Sequence, residues 1–297
     1  MHTTTRPTAS FEQERPRLRA VAYRMLGSLA EAEDAVQEAW LRFDRADTDE
    51  VENLPGWLTT VVSRVCLNML RSRATRREEP LVPEVRVPDP VVTREHVIDP
   101  ENEVLLADSV GLALMVVLES LSPAERIAFV LHDMFAVSFD EIAELLDRTP
   151  AATRQLASRA RRRVQDQAPV PDPDRSRQRE VVDAFFAASR DGRLEALIAV
   201  LDPDVVLRCD GGTLRASQSG VLRGAATLAS QAVTYGSLFP FVRPALINGA
   251  AGVVVVRDGR PLSLMAFTVT DGRIAAIDVI TDPERLVALG LAGFDAA

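Results

Sequence analysis

Between Arg148 and Arg163 the chain carries six arginines and no acidic residue. Guanidinium and amide groups are the donors that bond base edges in a DNA major groove, and one arginine can bond a guanine twice. A charged helix face that meets only solvent is the alternative, but such faces usually mix both signs of charge. We therefore expect a DNA-binding helix face that carries Arg154, Gln155, Ser158, Arg159, Arg161, Arg162 and Arg163.

Three short helices must position these donors, and each has a local start signal. Ser122 to Glu125 and Ser138 to Glu141 are capping boxes, whose side chains bond the free amides of a first helical turn. Thr149-Pro150 begins the third helix, because proline is favoured at its first position. Two helices joined by a tight turn, the second one basic, predict a helix-turn-helix. The apolar stripe of the basic helix is predicted at Ala152, Leu156, Ala160 and Val164.

A second acid-free run holds five arginines, from Arg64 to Arg77, at the end of a predicted helix that Asn53 caps. Trp57 lies near the start of this helix. Unstacked bases stack on aromatic rings while arginines hold phosphates, so this combination suits a melted DNA strand. A core position for Trp57 is an equal alternative on the sequence alone.

The preceding helix begins after Ser28 and has an apolar face that includes Val36, Ala39 and Phe43. Its other face carries three acids, one leucine and one arginine: Glu31, Asp34, Glu38, Leu41 and Arg42. An acidic, partly apolar surface of this kind suits a basic partner. A solvated face with no partner is the alternative.

The composition limits the class of protein. The chain has 297 residues and a net charge of −9, and all its basic side chains are arginines. Its local basic runs, rather than the net charge, favour nucleic-acid binding. Two cysteines and three histidines show no metal-ligand spacing, so we expect neither a metal nor a cofactor. There is no signal peptide and no long apolar run, which predicts a cytoplasmic protein that does not enter the membrane.

Four segments follow along the chain. Residues 11–79 are predicted to be all α, residues 80–103 are a linker rich in proline and acids, and residues 104–167 are α-helical with the helix-turn-helix. After a spacer, residues 175–297 show two helices and then alternating β-branched runs. Asp258-Gly259 and Asp271-Gly272 separate three of these runs and predict hairpins. This pattern indicates an α+β domain with a curved antiparallel sheet.

These motifs resemble a known family. Residues 11–79, through AEAEDAVQEAWLRF and LPGWLTTVVSRVCLNMLRSRATRRE, resemble region 2 of the extracytoplasmic-function RNA polymerase sigma factors. Residues 122–164 resemble region 4, and the C-terminal part looks like the cone-shaped SnoaL-like domain appended to one subgroup. The resemblance implies a factor that binds core RNA polymerase and promoter DNA, and whose activity its own C-terminal domain modulates, with a small-molecule ligand in that domain as one option.

The resemblance also implies residue roles. The clamp helices of the polymerase would contact Asp34, Gln37, Glu38 and Leu41. The −10 element would be bound by Trp57, Arg64, Asn68, Arg71, Arg73, Arg76 and Arg77. The −35 element would be bound by Arg154, Gln155, Ser158, Arg159 and Arg162. Contacts of the C-terminal domain with the linker would involve Pro83, Glu84, Asp210, Gly211, Gly212, Asp282, Pro283 and Leu286.

The chain departs from the subgroup in two motifs. Its linker has Pro80-Leu81-Val82-Pro83-Glu84-Val85 where the subgroup has Trp-Leu-Pro-Glu-Pro. Its C-terminal domain keeps Asp210-Gly211-Gly212 but lacks the basic residue that ends this motif in the subgroup. The second motif of the subgroup, Asn-Pro-Asp-Lys-Leu, corresponds to Asp282-Pro283-Glu284-Arg285-Leu286 in this chain.

Two other classes of protein compete with this interpretation. A one-component regulator would use the helix-turn-helix on an operator and the C-terminal domain to sense a small-molecule ligand, but it would not need Asp34–Leu41. An enzyme would need a proton-transfer group, and residues 169–297 contain neither histidine nor lysine. Asp210 and Asp278 remain candidate acids and Tyr235 a candidate phenol, with Asp210 expected in a turn. We therefore expect no catalysis.

Overall fold

The computed structural model describes residues 5–46, 51–76, 85–95, 111–291 and 294. The chain divides into two compact units. Within the described ranges, the first unit contains residues 5–46, 51–76 and 117–167, and the second contains residues 85–95, 111–116 and those from 168 onwards.

The first unit begins with three helices: α1 (Thr5–Leu26), α2 (Leu29–Arg45) and α3 (Leu54–Arg76). Gly27 ends α1 at a φ of 68°, a left-handed conformation that favours glycine. Ser28 then caps α2 by accepting from the amide of Glu31, and Asn53 accepts from the amide of Gly56 in the first turn of α3. The predicted starts of α2 and α3 are therefore confirmed.

The next helices are α4 (Leu112–Glu119), α5 (Pro123–Phe129), α6 (Phe139–Leu146) and α7 (Pro150–Gln167). A π-helical turn, Val130–Met134, continues α5. Both capping boxes are present, at Ser122 and at Ser138, and the Thr149 hydroxyl accepts from the amide of Ala152. Three residues join α6 to α7, and the first, Asp147, has a φ of 54°. This is the tight helix-turn-helix that the sequence predicts.

A buried arginine links the two helical parts of this unit. Arg126 of α5 is 3% exposed, and its Nη1 donates to the carbonyl of Met25 at 2.8 Å and to Glu119 at 2.9 Å. Nearby, the Arg24 guanidinium lies 5.2 Å from the centre of the Phe135 ring. The end of α1 thus packs against the helix-turn-helix through desolvated charges as well as apolar side chains.

The second unit is an α+β domain, as expected. Its helices are α8 (Arg175–Arg190), α9 (Leu194–Val200), α10 (Ala225–Thr234) and α11 (Pro283–Ala288). The seven strands among its described residues are β1 (Val92–Thr93), β2 (Leu201–Asp210), β3 (Gly220–Arg223), β4 (Val242–Ile247), β5 (Ala250–Arg257), β6 (Arg260–Thr270) and β7 (Arg273–Ile280).

The strand order in the sheet is β1-β4-β5-β6-β7-β2-β3. Three hairpins turn at residue pairs with positive φ: Asn248-Gly249, Asp258-Gly259 and Asp271-Gly272. The last two were predicted, whereas the Asn-Gly signal and the strand β4 before it were missed. The sheet also differs from a fully antiparallel one, because β2 and β7 pair in parallel. Parallel pairing needs a long connection, and the chain from β3 to β6 supplies it.

Two further expectations need correction. Residues 80–103 were expected to be a linker, but β1 lies within this segment and pairs with β4 through Val92 and Thr93. In α7 the buried residues are Thr153, Leu156, Ala157 and Ala160, so the predicted stripe was partly wrong. The helix predicted over residues 104–120 is observed at Leu112–Glu119, and residues 104–110 lie outside the described part of the chain.

The core of the α+β domain packs helices on one face of the sheet. Phe185 and Phe186 of α8 meet Phe267 of β6 edge to face, at ring-centre distances of 5.7 and 5.8 Å. Leu197 of α9 and Leu228 of α10 are buried in the same cluster. Apolar side chains thus occupy this face of the sheet.

Candidate nucleic-acid interface

The predicted donors of α7 lie together on one side of the helix. Arg154, Gln155, Arg159 and Arg162 are exposed, and Ser158 is half-buried. The opposite side of the helix is buried among apolar residues. The helix therefore presents guanidinium and amide donors to solvent along about two and a half turns, which is the form a major-groove contact requires.

Two of these arginines contact residues of neighbouring helices. The Arg154 guanidinium carbon lies 5.5 Å from the centre of the Phe139 ring, and the His132 ring stacks on the same ring at 3.8 Å. The Arg159 Nε lies 3.5 Å from a carboxylate oxygen of Glu125, whose other oxygen belongs to a capping box. Both contacts link the donor face to the rest of the helix-turn-helix.

Other arginines of the run have structural roles. Arg161 bonds Asp133 through Nε at 2.8 Å and Nη2 at 2.6 Å, and Arg163 donates to the carbonyl of Ser120 at 3.1 Å. Both therefore tie α7 to the preceding helices. The run thus divides into arginines that hold the domain together and arginines available to a ligand, a division that the sequence does not show.

The basic end of α3 also has an exposed stripe. Arg64, Asn68 and Arg71 are exposed, at spacings of four and three residues that keep them on one face. Trp57 is half-buried, with its ring centre 6.2 Å from that of Phe43. It therefore belongs partly to an aromatic cluster, and its role at a melted DNA strand stays a prediction.

The remaining arginines predicted to bind DNA from α3 are either paired within the domain or outside the described part of the chain. Arg73 pairs with Glu31 of α2 and donates to the carbonyl of Leu26 at 3.0 Å, so its charge is used inside the domain. Arg76 ends the helix, and its side chain is outside the described part. Arg77 lies outside the described residues altogether.

The predicted acidic face of α2 is exposed as a continuous stripe. Asp34, Gln37, Glu38 and Leu41 all face solvent, and Leu41 is 41% exposed. The opposite side packs Ala35, Val36, Ala39 and Phe43 into the core. An exposed leucine among carboxylates fits a surface whose charges attract a basic partner and whose apolar side chain packs against it.

In the α+β domain, Asp210 connects three segments. Its Oδ1 accepts from the amide of Gly212 at 3.0 Å, which is the expected turn. Its Oδ2 accepts from the amide of Val87 in the linker at 2.9 Å and from Nη1 of Arg285 at 2.6 Å. Asp210 is 5% exposed, so both contacts are largely desolvated.

Arg285 binds the linker directly and was missing from the predicted set. Its Nε and Nη2 donate to Asp89 at 3.0 and 2.6 Å, and Nη2 also donates to the carbonyl of Val87 at 2.6 Å. Asp282 caps the helix α11 that carries it, by accepting from the amides of Glu284 and Arg285. Its place in the second motif, where the family has a basic residue, was the signal that could have identified it.

The other predicted residues of this region support that arrangement. Gly212 has a φ of 60°, and a Cβ there would overlap the Asp282 carboxylate, so the two motifs touch at this glycine. A Cβ on Gly211 would overlap the backbone of Arg215. Leu286 is fully buried and Pro283 is half-buried at the start of α11. Pro83 and Glu84 lie outside the described residues.

The second candidate acid is buried and paired. Asp278 is 1% exposed, and Arg208 donates to it at 3.0 Å. Burial raises the pKa of Asp278, and the Arg208 charge opposes this shift. A carboxylate committed to an ion pair inside the protein is more suited to structure than to proton transfer.

The described residues contain no group of side chains that could hold a metal ion. None of their helices combines the length and the apolar character that a membrane span needs. A groove of about 570 Å³ between α9 and α10 is mainly apolar and has Arg273 at its edge. The expectation of a small-molecule ligand stays a prediction.

Comparison with known proteins assigns the family. Models of sigma-70 region 2 and sigma-70 region 4 match residues 11–76 and 111–164. The ECF RNA polymerase sigma factor SigJ of Mycobacterium tuberculosis is 41% identical over 293 residues, covering 93% of this chain and 92% of SigJ. The chain belongs to the extracytoplasmic-function (ECF) sigma factors.

The likeness of this ECF sigma factor to its relatives extends into the α+β domain. The probable ECF sigma factor SigI of the same species is 34% identical over 281 residues, 94% of each protein. The crystal structure of SigJ superposes with a TM-score of 0.75 at 37% identity, covering 94% of this chain and 98% of that one. These comparisons support the sigma-factor interpretation and not the one-component regulator. The ECF sigma factors are transcription factors rather than a family of enzymes.

Proposed function

We propose that this ECF sigma factor binds the clamp helices of core RNA polymerase through α2 and promoter DNA through α3 and α7. The single observation that carries the proposal is that the predicted residues of α2 and α7 form continuous exposed or half-exposed faces. Asp34–Leu41 is acidic, and the α7 donors are arginine and glutamine. The two faces thus have opposite charge, as two partners of opposite charge require.

For the −10 element we retain Trp57, Arg64, Asn68 and Arg71. The half-exposed indole can stack on an unstacked base, while the arginines bind phosphates. We leave out Arg73, because separating it from Glu31 would cost an ion pair that also supports the α2–α3 contact. Arg76 and Arg77 remain predictions from the sequence.

For the −35 element we retain Arg154, Gln155, Ser158, Arg159 and Arg162. A bidentate arginine–guanine contact discriminates by roughly 1–3 kcal/mol against the wrong base pair. Such a difference is large enough to select promoters. Arg161 and Arg163 are excluded because they bond residues of their own domain.

Run-off transcription with purified core RNA polymerase, on templates that include the protein's own upstream region, tests the whole proposal. Glu38→Arg reverses a charge in the middle of the α2 face and should abolish both polymerase binding and discrete transcripts. Glu12→Arg is the matched control, since Glu12 is an exposed acid on α1 outside this face. Equal transcription by both variants would contradict the assignment of α2.

We further propose that the α+β domain modulates transcription activity through the hydrogen bonds and ion pairs that it makes with the linker. Its support is the set of bonds from Arg285 and Asp210 to Val87 and Asp89, which joins both family motifs to the segment between regions 2 and 4. Ending the chain after Thr281 removes α11 and its arginine. Transcription indistinguishable from that of the full chain would contradict this role.

A further inference from the structure

One arginine of the donor face of α7 contacts an aromatic ring of the preceding helix. Arg154 has its guanidinium carbon 5.5 Å from the centre of the Phe139 ring, the first residue of α6. Arg154 is exposed, whereas Phe139 is half-buried. An aromatic ring on one helix thus lies beneath an exposed cation on the next helix.

The ring itself is fixed from inside the domain. The His132 ring stacks on it, with ring centres 3.8 Å apart and planes inclined by 28°. The His132 Nδ1 lies 3.0 Å from the carbonyl of Val137, which holds the imidazole in turn. Phe139 also follows Ser138, the cap of α6, so its backbone is defined by two hydrogen bonds of a capping box. Three elements therefore determine where the ring lies.

Stacking and base recognition use different parts of a guanidinium group. The flat face of the group interacts with the aromatic ring, while its N–H donors point outward in the plane. Arg154 can therefore bond a guanine without leaving Phe139. Arg159 differs, because its partner Glu125 is an acceptor that competes for the same donors. Of the two contacts, only the one with the aromatic ring leaves the N–H donors without a competing acceptor.

We propose that Phe139 is a positioning residue for −35 recognition, which orients the Arg154 guanidinium and so sets specificity at the base pair that Arg154 contacts. The inference rests on the proposed function of α7. An arginine loses much side-chain freedom on binding, and a residue that restricts it beforehand lowers this cost. The ring thus favours the correct base pair without contacting it.

The test uses the full chain with core polymerase and a promoter selected by the wild-type holoenzyme from templates with randomised upstream regions. Parental and singly substituted −35 templates compete in one reaction, and the ratio of their transcripts is measured. Because both templates share one pool of enzyme, a loss of folded or active protein cancels from this ratio. A purely structural role of Phe139 would therefore not move it at one position alone.

Arg154→Ala should flatten the preference at one base pair. Phe139→Leu should weaken the preference at that same position by about two- to five-fold, the worth of an exposed cation–π contact. Phe139→Tyr should restore the wild-type ratio because it keeps the aromatic face. Phe139→Leu added to Arg154→Ala should change nothing further. Phe135→Leu is the matched control, because the Phe135 ring contacts Arg24 and not Arg154.

Two results would overturn the inference, and they differ in meaning. If Arg154→Ala flattens one position but Phe139→Leu leaves it unchanged, or changes all positions equally, then α7 binds the −35 element without help from Phe139. If Arg154→Ala leaves every ratio at the wild-type value, then Arg154 does not contact the −35 element, and the proposed role of this residue fails as well.

Discussion

Replacing Arg285 by alanine should loosen the linker from the α+β domain. The variant loses donors to Asp89, Asp210 and the carbonyl of Val87, at distances from 2.6 to 3.0 Å. The Asp210 side chain is 7% exposed and would keep only amide donors. Removing one partner of a buried ion pair costs about 3–5 kcal/mol. Since the Arg285 side chain is 22% exposed, we expect a smaller cost, of about 2–3 kcal/mol.

The loss should be local. Further along the linker, Val91 exchanges hydrogen bonds with Asn248, and Glu95 pairs with Arg179, so β1 has anchors of its own. Hydrogen–deuterium exchange followed by mass spectrometry separates the two ends. Residues 85–90 should exchange about 30- to 150-fold faster in Arg285→Ala, while residues around β1 should keep most of their protection.

Glu284→Ala is the matched control, since Glu284 is the exposed neighbour on the same helix. It should leave exchange over residues 85–90 at the wild-type rate. Arg285→Lys keeps the charge but has no planar fork, so its exchange rate should lie between the two. Unchanged exchange in Arg285→Ala would refute the argument, because β1 and the bond from the Val87 amide to Asp210 would then be enough to hold the linker.

Three further predictions concern stability. Burial raises the pKa of Asp278 above its ordinary value of 3.8. The stability that Asp278 contributes to the fold is therefore complete below pH 3.8 and is lost as the pH rises through the higher pKa. In urea titrations, the unfolding free energy of the wild type minus that of Asp278→Asn should fall over this range, and a constant difference would contradict the prediction. Ala136 has a φ of 54°, a left-handed conformation that strains alanine but not glycine. Ala136→Gly should therefore raise the unfolding free energy by about 0.5–1 kcal/mol in the same urea titrations. A destabilised variant would show that the alanine is not strained. In Gly212→Ala the new Cβ meets both a positive φ and the Asp282 carboxylate, so thermal unfolding should show that the unfolding free energy falls by about 2–3 kcal/mol. The control Gly192→Ala has a φ of 65° and open space around it, so it should lose only about 1 kcal/mol. Equal losses in the two variants would exclude the steric effect of Asp282.

The sequence by itself determined the elements that depend on near neighbours. Ser122 and Ser138 start helices through residues three positions away, and Asp258-Gly259 and Asp271-Gly272 turn hairpins through their own φ angles. The exposed faces of α2 and α7 follow from helical periodicity, which places polar positions away from the core. The same kind of local signal at Asn248-Gly249 was available and was missed.

Only the tertiary structure decided which charged residues act inside the protein. Arg73 and Arg161 belong to the same basic runs as Arg64 and Arg162, but Glu31 and Asp133 lie close to the first two after folding. Arg285 meets an aspartate 196 residues away in sequence, and β1 finds its partner strand more than 150 residues further along the chain. An ion pair or a strand pairing depends on distance in space, and sequence periodicity carries no information on which distant segments fold to within a few ångströms of each other.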